Sequence, residues 1–551
     1  MAVTNLAGLL ADTASRALVL PASALQRHAI TISYAQLRHL VAALAQRSPF
    51  RDLQPGDVVT YLVPDPLTHL LIFFAVMAKR AVANPLNPAY TADEIAFFVG
   101  DGKSRLLLVP RCDASPVSAA AAATRPKTSS PAEEQEWRMP YRQAVDDLQE
   151  LAALLEGARA TDPALFLHTS GTTGRPKGIM LAHANILATV HNITDTYHLR
   201  PSDITYLVMP LFHVHGLIGA TLSTLASGGC VVAPLKFSVT AFWPDVLAHA
   251  ATWYSAVPTI HQMLLARART TYPGHSGALR FARSCSAPLS STTFKALEQL
   301  LGVPVLEAYA MTEAAHQMTS NPPPPAQRKP GSVGVPMGTT IRILADGGRE
   351  CAVNEVGEVC VHGENVISAY HNNPEATAKA FYQLPAPQAP LAPRRTADSV
   401  GPERYLRTGD MGYCDRQGYV FLTGRMKEQI NRGGEKIAPL EIDEVMLAHP
   451  RVREAMAFGV PSAVYGEEIE AAIVLADSDD GGTSSAQDEA VMAQQMRKHC
   501  LAQLAGFKVP RRFHFVKALP KGPTGKVQRL QLAKALKIVP SDATPSPKAK
   551  L

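Results

Sequence analysis

The sequence predicts a large α/β protein that ends in a second, small α/β domain, and three observations support this fold class. The 551 residues are 46% hydrophobic and 18% charged, which allows a large core and more than one domain. From about residue 33 to about residue 310, short apolar runs alternate with helical stretches, the pattern of β–α crossover units. After about residue 332 short strands follow without long helices, and a compact α/β segment begins at about residue 427.

The elements of the large domain follow in chain order. SYAQLRHLVAALAQR begins with a candidate N-cap, Ser33, and carries apolar residues at helical spacing. DVVTYLV predicts a buried strand, and HLLIFFAVMA from His69 predicts a buried helix, because this run has about half the length that spans a bilayer. Helical stretches such as STTFKALEQLLG separate most of the further runs. Those runs suit parallel strands: RLLLVP, ALFLHT, ITYLVMP, CVVAPL and TWYSAVP.

The last third of the chain divides into two units. IRILA, GEVCVHG and YVFLTG predict a small barrel-like β subdomain, and EIDEVMLAHP, EEIEAAIVLA and FHFVKALP belong to the final α/β unit. We predict a large first domain at 1–426, a small second domain at 427–537 and a disordered tail at 538–551. Three segments rich in Ala, Pro, Ser or charge look like exposed insertions: Pro110–Glu136, Gln383–Arg404 and Asp477–Asp488.

Composition excludes several function classes. The net charge of +6 comes without a dense basic run, which argues against nucleic-acid binding. The seven cysteines are odd in number and form no CxxC, so we expect reduced, buried thiols in an intracellular protein. LAGLL near the N-terminus is too short and lacks the basic flank of a signal peptide, and no run predicts a membrane span.

The tail ends in Ala549, Lys550 and Leu551, one small-residue substitution away from the peroxisomal address Ser-Lys-Leu. This tripeptide predicts recognition by a peroxisomal import receptor. The alternative is an arbitrary basic tail on a cytoplasmic protein.

The loop LHTSGTTGRPKG, Leu167–Gly178, combines the residue types that bind phosphate. It fits neither the Walker pattern, because Pro176 stands where a Gly is required, nor the dinucleotide pattern. Its glycines let the backbone approach an anion, its hydroxyls donate hydrogen bonds, and its lysine adds charge. Between the strand ALFL and the helix-like HANILATVHNI, it predicts a strand–loop–helix phosphate site. The candidates are Thr169, Ser170, Gly171, Thr172, Thr173, Gly174 and Lys177.

TSGTTGRPKG resembles the signature loop of the adenylate-forming superfamily, which includes acyl-CoA synthetases, firefly luciferases and peptide-synthetase adenylation domains. The resemblance covers nearly all of the chain, because AYAMTEA, RTGD, TGRMKEQI, NRGGEKI and PKGPTGKVQR follow in the family's order. It implies that the loop holds the β- and γ-phosphates of ATP while a carboxylate attacks the α-phosphorus. The acyl-adenylate then reacts with the thiol of CoA.

The same resemblance implies roles for residues at the nucleotide. Tyr309 stacks on adenine, Thr312 hydrogen-bonds the α-phosphate, and Glu313 holds Mg²⁺, a hard cation that prefers oxygen ligands. Asp410 accepts hydrogen bonds from both ribose hydroxyls, which suits a carboxylate with two oxygens, and Arg425 donates to the ribose.

The resemblance also implies that 1–426 is the AMP-binding adenylation domain and 427–537 the mobile catalytic domain, and it assigns roles to four residues of the latter. Lys427 occupies the hinge, and Gly433 and Gly434 line the pantetheine channel for CoA. Lys526 matches the mobile catalytic lysine that stabilises charge during adenylation. The small domain is expected to rotate between the two steps, exchanging Lys526 for the face formed by Gly433 and Gly434.

Polar residues gather where the acid should bind, and small side chains flank the adenine-stacking Tyr. SCSAPL followed by EAYAMTEAAHQM closely resembles the oxalyl-CoA synthetases of plants and fungi, including the peroxisomal type of yeast. Alanines at positions that are often glycine in the superfamily should narrow the acyl tunnel, and a cationic His would add charge for a second carboxylate. The candidates are His213, His215, Ser284, Ser286, Ala308, Ala310 and His316.

Alternatives remain at this stage. The polar groups are either a carboxylate clamp for oxalate or internally satisfied wall residues, in which case a 4-coumarate- or medium-chain-acyl-CoA ligase fits. An adenylating enzyme that serves a carrier protein, and a non-catalytic binding protein, are more remote. The last would be expected to lack Glu313, Asp410, Arg425 or Lys526, and all four are present.

Overall fold

A computed structural model describes residues 16–21, 29–109, 158–169, 176–384, 403–476, 486–520 and 527–538. The predictions for Ser170–Gly174, Lys526, the C-terminal tripeptide and most of the three insertions lie outside these residues.

The first segment alternates strands and helices as predicted. Ser33 caps the first helix, accepting from the backbone N–H of Gln36 at 3.2 Å, and the helix that contains His69 is buried along nearly its whole length. Its elements are β1 (Arg16–Leu20), β2 (Ile30–Ser33), α1 (Tyr34–Ala45), β3 (Val58–Tyr61), α2 (Pro66–Ala78), β4 (Val82–Pro85), α3 (Ala92–Asp101) and β5 (Leu106–Leu108).

The second segment carries most of the strands that position the site. Its elements are β6 (Pro163–Thr169), β7 (Lys177–Ala182), α4 (His183–Tyr197), β8 (Ile204–Tyr206), a π-helix (His215–Leu222), α5 (Ser223–Ala226), β9 (Cys230–Val232), α6 (Val239–Ala248), β10 (Trp253–Ala256), α7 (Pro258–Thr271), β11 (Phe281–Ser284), α8 (Ser291–Leu301), β12 (Val305–Met311), β13 (His316–Ser320) and β14 (Val335–Pro336).

These strands form two sheets. One has nine strands in the order β14-β13-β12-β11-β10-β8-β9-β1-β2, and the other has five in the order β5-β3-β4-β6-β7. Both are mainly parallel, as the crossover pattern predicts. The larger sheet has antiparallel strands at both edges, and the smaller one has an antiparallel strand, β7, at one edge. Helices and an apolar core cover them.

The phosphate loop differs from its predicted setting. The residue pair Thr169 and Lys177 faces across an antiparallel hairpin of β6 and β7, so a strand stands between the loop and α4. The segment KGIMLA buries alternate side chains against the five-stranded sheet, which favours a strand over an earlier start of the helix. The predicted strand–loop–helix arrangement is therefore wrong, and the loop joins two strands.

The remaining elements complete an α/β fold with a large first domain and a small second one, as predicted. An antiparallel sheet of order β15-β16-β18-β17, with β19 beside β18, forms the β-rich unit. Its elements are β15 (Thr340–Leu344), β16 (Gly357–His362), α9 (Pro374–Lys379), β17 (Phe381–Leu384), β18 (Glu403–Cys414) and β19 (Val420–Arg425). The ends of the predicted insertion 383–404 thus belong to strands.

The small domain has its own sheet, of order β21-β20-β23-β22, with β24 parallel to β23. Its elements are β20 (Ile430–Arg432), β21 (Glu435–Ile437), α10 (Pro439–Leu447), β22 (Val452–Ser462), β23 (Gly466–Leu475), α11 (Ala486–Leu501), β24 (Arg512–Phe515) and α12 (Leu532–Ala535). Its boundary at residue 427 stays a prediction. Within the described ranges, none of the helices has the length and apolar character to cross a bilayer.

Candidate active site

Three residues from separate elements meet at the predicted ribose position. Tyr309, on β12, donates its hydroxyl hydrogen bond to Asp410, on β18. Asp410 is the register partner of Arg425, whose Nε lies 3.3 Å from Asp410 Oδ1. Burial, followed by the nearby Asp410 carboxylate, raises the pKa of the Tyr309 hydroxyl, so Tyr309 acts as a neutral donor.

Glu313 lies close to the phosphate hairpin. It sits in a short 3₁₀ turn, Thr312–Ala314, directly after β12, and its Oε1 accepts from the Tyr370 hydroxyl at 3.2 Å. Lys177 Nζ stands 4.5 Å from the centre of the Tyr370 ring. Burial raises the pKa of Glu313, and the positive charges of Lys177 and Arg425 oppose this rise. Tyr370 is a site neighbour that no sequence motif indicated.

A histidine–carboxylate pair joins the β6–β7 hairpin to α3. His168 Nε2 lies 2.8 Å from Oδ2 of Asp101, at the end of α3. Gly178 passes so close to this pair that a Cβ there would lie 2.9 Å from the Phe166 ring and 3.1 Å from Asp101 Oδ2. Gly178 is therefore required for close packing of the hairpin. The sequence predicted a different role for it, namely close approach of the backbone to an anion.

The acyl candidates His215, Ser286 and His316 form one cluster. His215, the first residue of the π-helix, has Nε2 2.7 Å from Ser255 Oγ and Nδ1 3.0 Å from Ser286 Oγ. Its ring stacks on His316 with ring centres 5.1 Å apart. A π-helical turn is a rare arrangement that often marks functional positions.

Behind this cluster lies Arg283, which sequence reasoning missed. Its side chain is completely buried. Nη1 donates to Ser255 Oγ at 2.9 Å and to His316 Nε2 at 3.1 Å, and Nε donates to the Tyr197 hydroxyl at 2.7 Å. The signal was an arginine in the short strand FARS, because an arginine is rarely fully buried unless it is paired.

The sequence left open which histidine would be cationic, and this geometry does not favour His316. A guanidinium only donates hydrogen bonds, so His316 Nε2 must accept, and the neutral ring carries its proton on Nδ1. The positive charge in this region resides on Arg283.

Ser284 does not join the cluster. It is the register partner of Ala256 and Glu307, on the opposite face of the sheet from Arg283, which pairs with Ser255 and Leu306. Its hydroxyl is buried and makes no hydrogen bond within the described part of the chain.

Two other acyl candidates have clear positions. Ala310 is the register partner of Gln317, whose Oε1 accepts from Arg283 at 3.0 Å, so Ala310 and, by alternation, Ala308 share the face of Arg283. His213 is partly exposed, and its Nδ1 accepts from the backbone N–H of His215 at 3.4 Å.

The small-domain candidates lie on turns. Gly433 and Gly434, with φ of 62° and 94°, form the turn between β20 and β21, and Lys427 lies in the 3₁₀ turn Met426–Glu428. Arg529, three residues after Lys526, is buried and donates to Glu428 at 3.1 Å and to Asp443 at 2.8 Å. The segment that follows Lys526 is thus fastened beside the predicted hinge.

Comparison with known proteins identifies the family. Residues 14–371 match the AMP-binding enzyme family, and residues 441–526 match the AMP-binding enzyme C-terminal domain. The chain belongs to the AMP-binding enzyme family.

Relatives with similar sequences match most of the length of this chain. The oxalate–CoA ligase of Arabidopsis thaliana is 42% identical over 90% of this chain and 92% of that one. The oxalate–CoA ligase of Saccharomyces cerevisiae is 41% identical, covering 87% and 86%. ATP-bound MatB from Rhodopseudomonas palustris has a similar structure, with a TM-score of 0.78, 29% identity, and coverage of 97% and 99%. The protein is an ATP-dependent, AMP-forming acyl-CoA ligase.

Proposed function

We propose that this ligase activates oxalate, converting oxalate, ATP and CoA into oxalyl-CoA, AMP and diphosphate. The observation that carries the proposal is the polar cluster of His215, Ser255, Ser286 and His316 backed by Arg283. A fatty or aromatic acid would leave any donors of this cluster that face the pocket against hydrocarbon, at a cost of roughly 1–3 kcal/mol each. A small dicarboxylate instead accepts hydrogen bonds from them, and the two oxalate–CoA ligases at 41–42% identity support this substrate.

In the first step, a carboxylate oxygen of oxalate attacks the α-phosphorus of ATP, and the bond to diphosphate breaks. Asp410 and Arg425 would hold the ribose, Tyr309 the adenine and Lys177 the departing phosphates. Thr312 would donate to the α-phosphate, and Lys526 would stabilise the charge that develops there.

The site fits a magnesium ion. Among the described residues no group of three or more His, Cys, Asp or Glu could hold a metal by itself, whereas Glu313 offers one buried carboxylate beside Lys177. Mg²⁺ is commonly bound by one or two carboxylates together with phosphate and water oxygens, and it neutralises phosphate charge. Glu313 is therefore the residue that would hold it.

In the second step, the sulfur of CoA attacks the carbonyl carbon of oxalyl-AMP, the carbon–oxygen bond to AMP breaks, and the thiol proton passes to solvent. Gly433 and Gly434, whose left-handed turn exposes backbone without side chains, would border the pantetheine arm. Rotation about Lys427 would bring them to the site.

A diphosphate-release assay tests the substrate. The purified enzyme, ATP, Mg²⁺ and CoA are supplied with oxalate, malonate, acetate, octanoate or 4-coumarate in parallel. We expect the highest kcat/KM with oxalate. Equal or faster turnover of octanoate or 4-coumarate would overturn the proposal in favour of the larger-acid ligase, and replacing CoA by a phosphopantetheinylated carrier tests the carrier-dependent alternative.

We further propose that Ala549, Lys550 and Leu551 direct import into peroxisomes. The proposal rests on the likeness of this tripeptide to Ser-Lys-Leu. A fluorescent protein fused upstream of the chain should colocalise with a peroxisomal marker and become cytoplasmic when the three residues are deleted. Unchanged distribution after deletion would contradict it.

A further inference from the structure

Arg283 is a completely buried cation whose surroundings within the described residues contain no anion that pairs with it. Its side-chain partners include no carboxylate: they are Tyr197, Ser255, His316, Gln317 and the thiol of Cys285. A buried guanidinium normally pairs with a carboxylate, because its charge loses the hydration of water. A missing counter-ion beside a candidate acid site indicates that the ligand supplies it.

The hydrogen bonds around Arg283 have a defined direction. Nη1 donates to Ser255 Oγ, so the Ser255 hydroxyl can donate its own proton to His215 Nε2, 2.7 Å away. His215 then carries its proton on Nδ1 and donates to Ser286 Oγ, 3.0 Å away. A chain of bonds that starts at a charged donor is polarised along its length.

The chain ends at the sheet edge where the reaction takes place. Ser286 follows β11 immediately after its carboxyl end, and Glu313 follows the carboxyl end of the adjacent β12. In open α/β sheets ligands bind at the carboxyl ends of the strands. Ser286 is partly exposed and adopts a left-handed conformation, φ 73°, that turns the chain at this edge. Once Ser286 Oγ accepts from His215, its own O–H is left to donate outward.

We propose that Arg283 is the residue that selects a second negative charge on the acid. It polarises the Ser255–His215–Ser286 chain, so that the Ser286 hydroxyl donates to the distal carboxylate, and its buried charge attracts that carboxylate from behind. This inference rests on the proposed function and extends it from a named acid to the charge of the acid. Arg283 is a positioning residue, since it acts through Ser255 and His215.

The test compares oxalate with oxamate, which has nearly the same size but a neutral amide in place of one carboxylate. Four variants are compared with the wild type: Arg283→Met, which removes the charge, Arg283→Lys, which keeps it, Ser255→Ala, which breaks the chain, and Arg280→Met. Arg280, three residues upstream, forms an ion pair with Asp203 at 2.6 Å and serves as the matched control for losing an arginine from the same segment. KM and kcat are measured for each acid, with the inhibition constant of oxamate used if it does not react.

We expect Arg283→Met to raise KM for oxalate about 10- to 100-fold, the effect of losing a charge-assisted hydrogen bond, and to leave KM for ATP and the oxamate constant unchanged. Arg283→Lys should retain most of the preference for oxalate over oxamate. Ser255→Ala should reduce that preference about 10-fold. Arg280→Met should show the same ratio of oxalate and oxamate constants as the wild type.

Three results would separate the possible failures. Equal losses with oxalate and oxamate in Arg283→Met would show a structural role only and overturn the inference. If circular dichroism shows that Arg283→Met does not fold, Ser255→Ala decides, and an unchanged oxalate-to-oxamate ratio there overturns it. A wild type that prefers octanoate or 4-coumarate contradicts the proposed function itself, whatever the variants do.

Discussion

The nucleotide site and the acid site lie at one edge of the large sheet but are built differently. At the predicted nucleotide site, charged groups pair with one another across elements, as the half-exposed Arg425 on β19 does with the more buried Asp410 on β18. At the acid site, the charged group is buried behind neutral ones, and Arg283, Ser255 and His215 are each at most 1% exposed.

This difference explains how the enzyme can be selective for one acid and still use ATP, the cosubstrate common to its family. The residues proposed to contact ATP each belong to a short motif in the sequence. In the proposed acid site, the Ser286 hydroxyl contacts the acid, and Arg283 sets its donor direction through Ser255 and His215. A substitution at Arg283 can therefore change the preferred acid without altering the nucleotide residues. The two sites should therefore respond independently to mutation.

The largest effect is expected from Lys526→Ala, which acts where the two sites share one transition state. Loss of the lysine should reduce formation of the acyl-adenylate about 100- to 1,000-fold, because charge developing at the α-phosphate loses its donor. CoA transfer from a chemically prepared adenylate should stay close to the wild-type rate. Single-turnover measurements of the two half-reactions check this, and equal loss in both would show that Lys526 serves neither step specifically.

Asp410→Asn tests whether the nucleotide site stands apart. The amide offers one acceptor instead of two and disturbs the bonds from Tyr309 and Arg425, so KM for ATP should rise about 10- to 100-fold. KM for oxalate at saturating ATP should be unchanged. A parallel rise in both constants would break the proposed separation.

The sequence indicated the residues that meet at the predicted nucleotide site more completely than those at the predicted acid site, for a physical reason. The nucleotide candidates occur in short stretches, so AYAMTEA and RTGD indicate Tyr309, Glu313 and Asp410 directly. The importance of Arg283 depends on what packs around it, namely Tyr197 from α4 and Gln317 from β13, and no local pattern contains that information. Ser284 illustrates the reverse error, because adjacency in SCS hides the alternation that sends Ser284 and Arg283 to opposite faces.

The fold was predicted on similar terms. Apolar runs located the parallel strands, because a buried strand needs little more than continuous hydrophobicity. The hairpin around the phosphate loop was not predicted, because its second strand, KGIMLA, is short and directly precedes α4.

Gly219→Ala should weaken the acid site through packing alone. A Cβ at position 219 would lie 2.4 Å from His316 Nε2, so the ring must move and its bond from Arg283 must lengthen. We expect KM for oxalate to rise about 10-fold, the cost of one hydrogen bond to a charged group, with KM for ATP unchanged. Gly100→Ala is the matched control, because a Cβ there meets nothing within 4 Å. A similar loss in both variants would contradict the assigned packing role.

Substitution of Glu307 should have the smallest effect on catalysis and tests whether the two sites are independent. Glu307 lies on the same face of β12 as Tyr309 but belongs to neither site. Burial, with a smaller contribution from Glu444, raises its pKa from 4.5 to about 8. Between these values the folded protein holds a proton that the unfolded chain lacks, so this stabilisation is complete below pH 4.5 and is lost as the pH rises through 8.

The stability of Glu307→Gln relative to the wild type should therefore increase between pH 6 and pH 9, by about 1–3 kcal/mol in the free energy of unfolding. Thermal unfolding at the two pH values measures the difference. Glu375→Gln is the control, since the bond to Lys379 lowers the pKa of the exposed Glu375 and keeps it ionised throughout this range. A change in KM for ATP or oxalate in Glu307→Gln would show that β12 couples the two sites, and independence of the sites would then have to be abandoned.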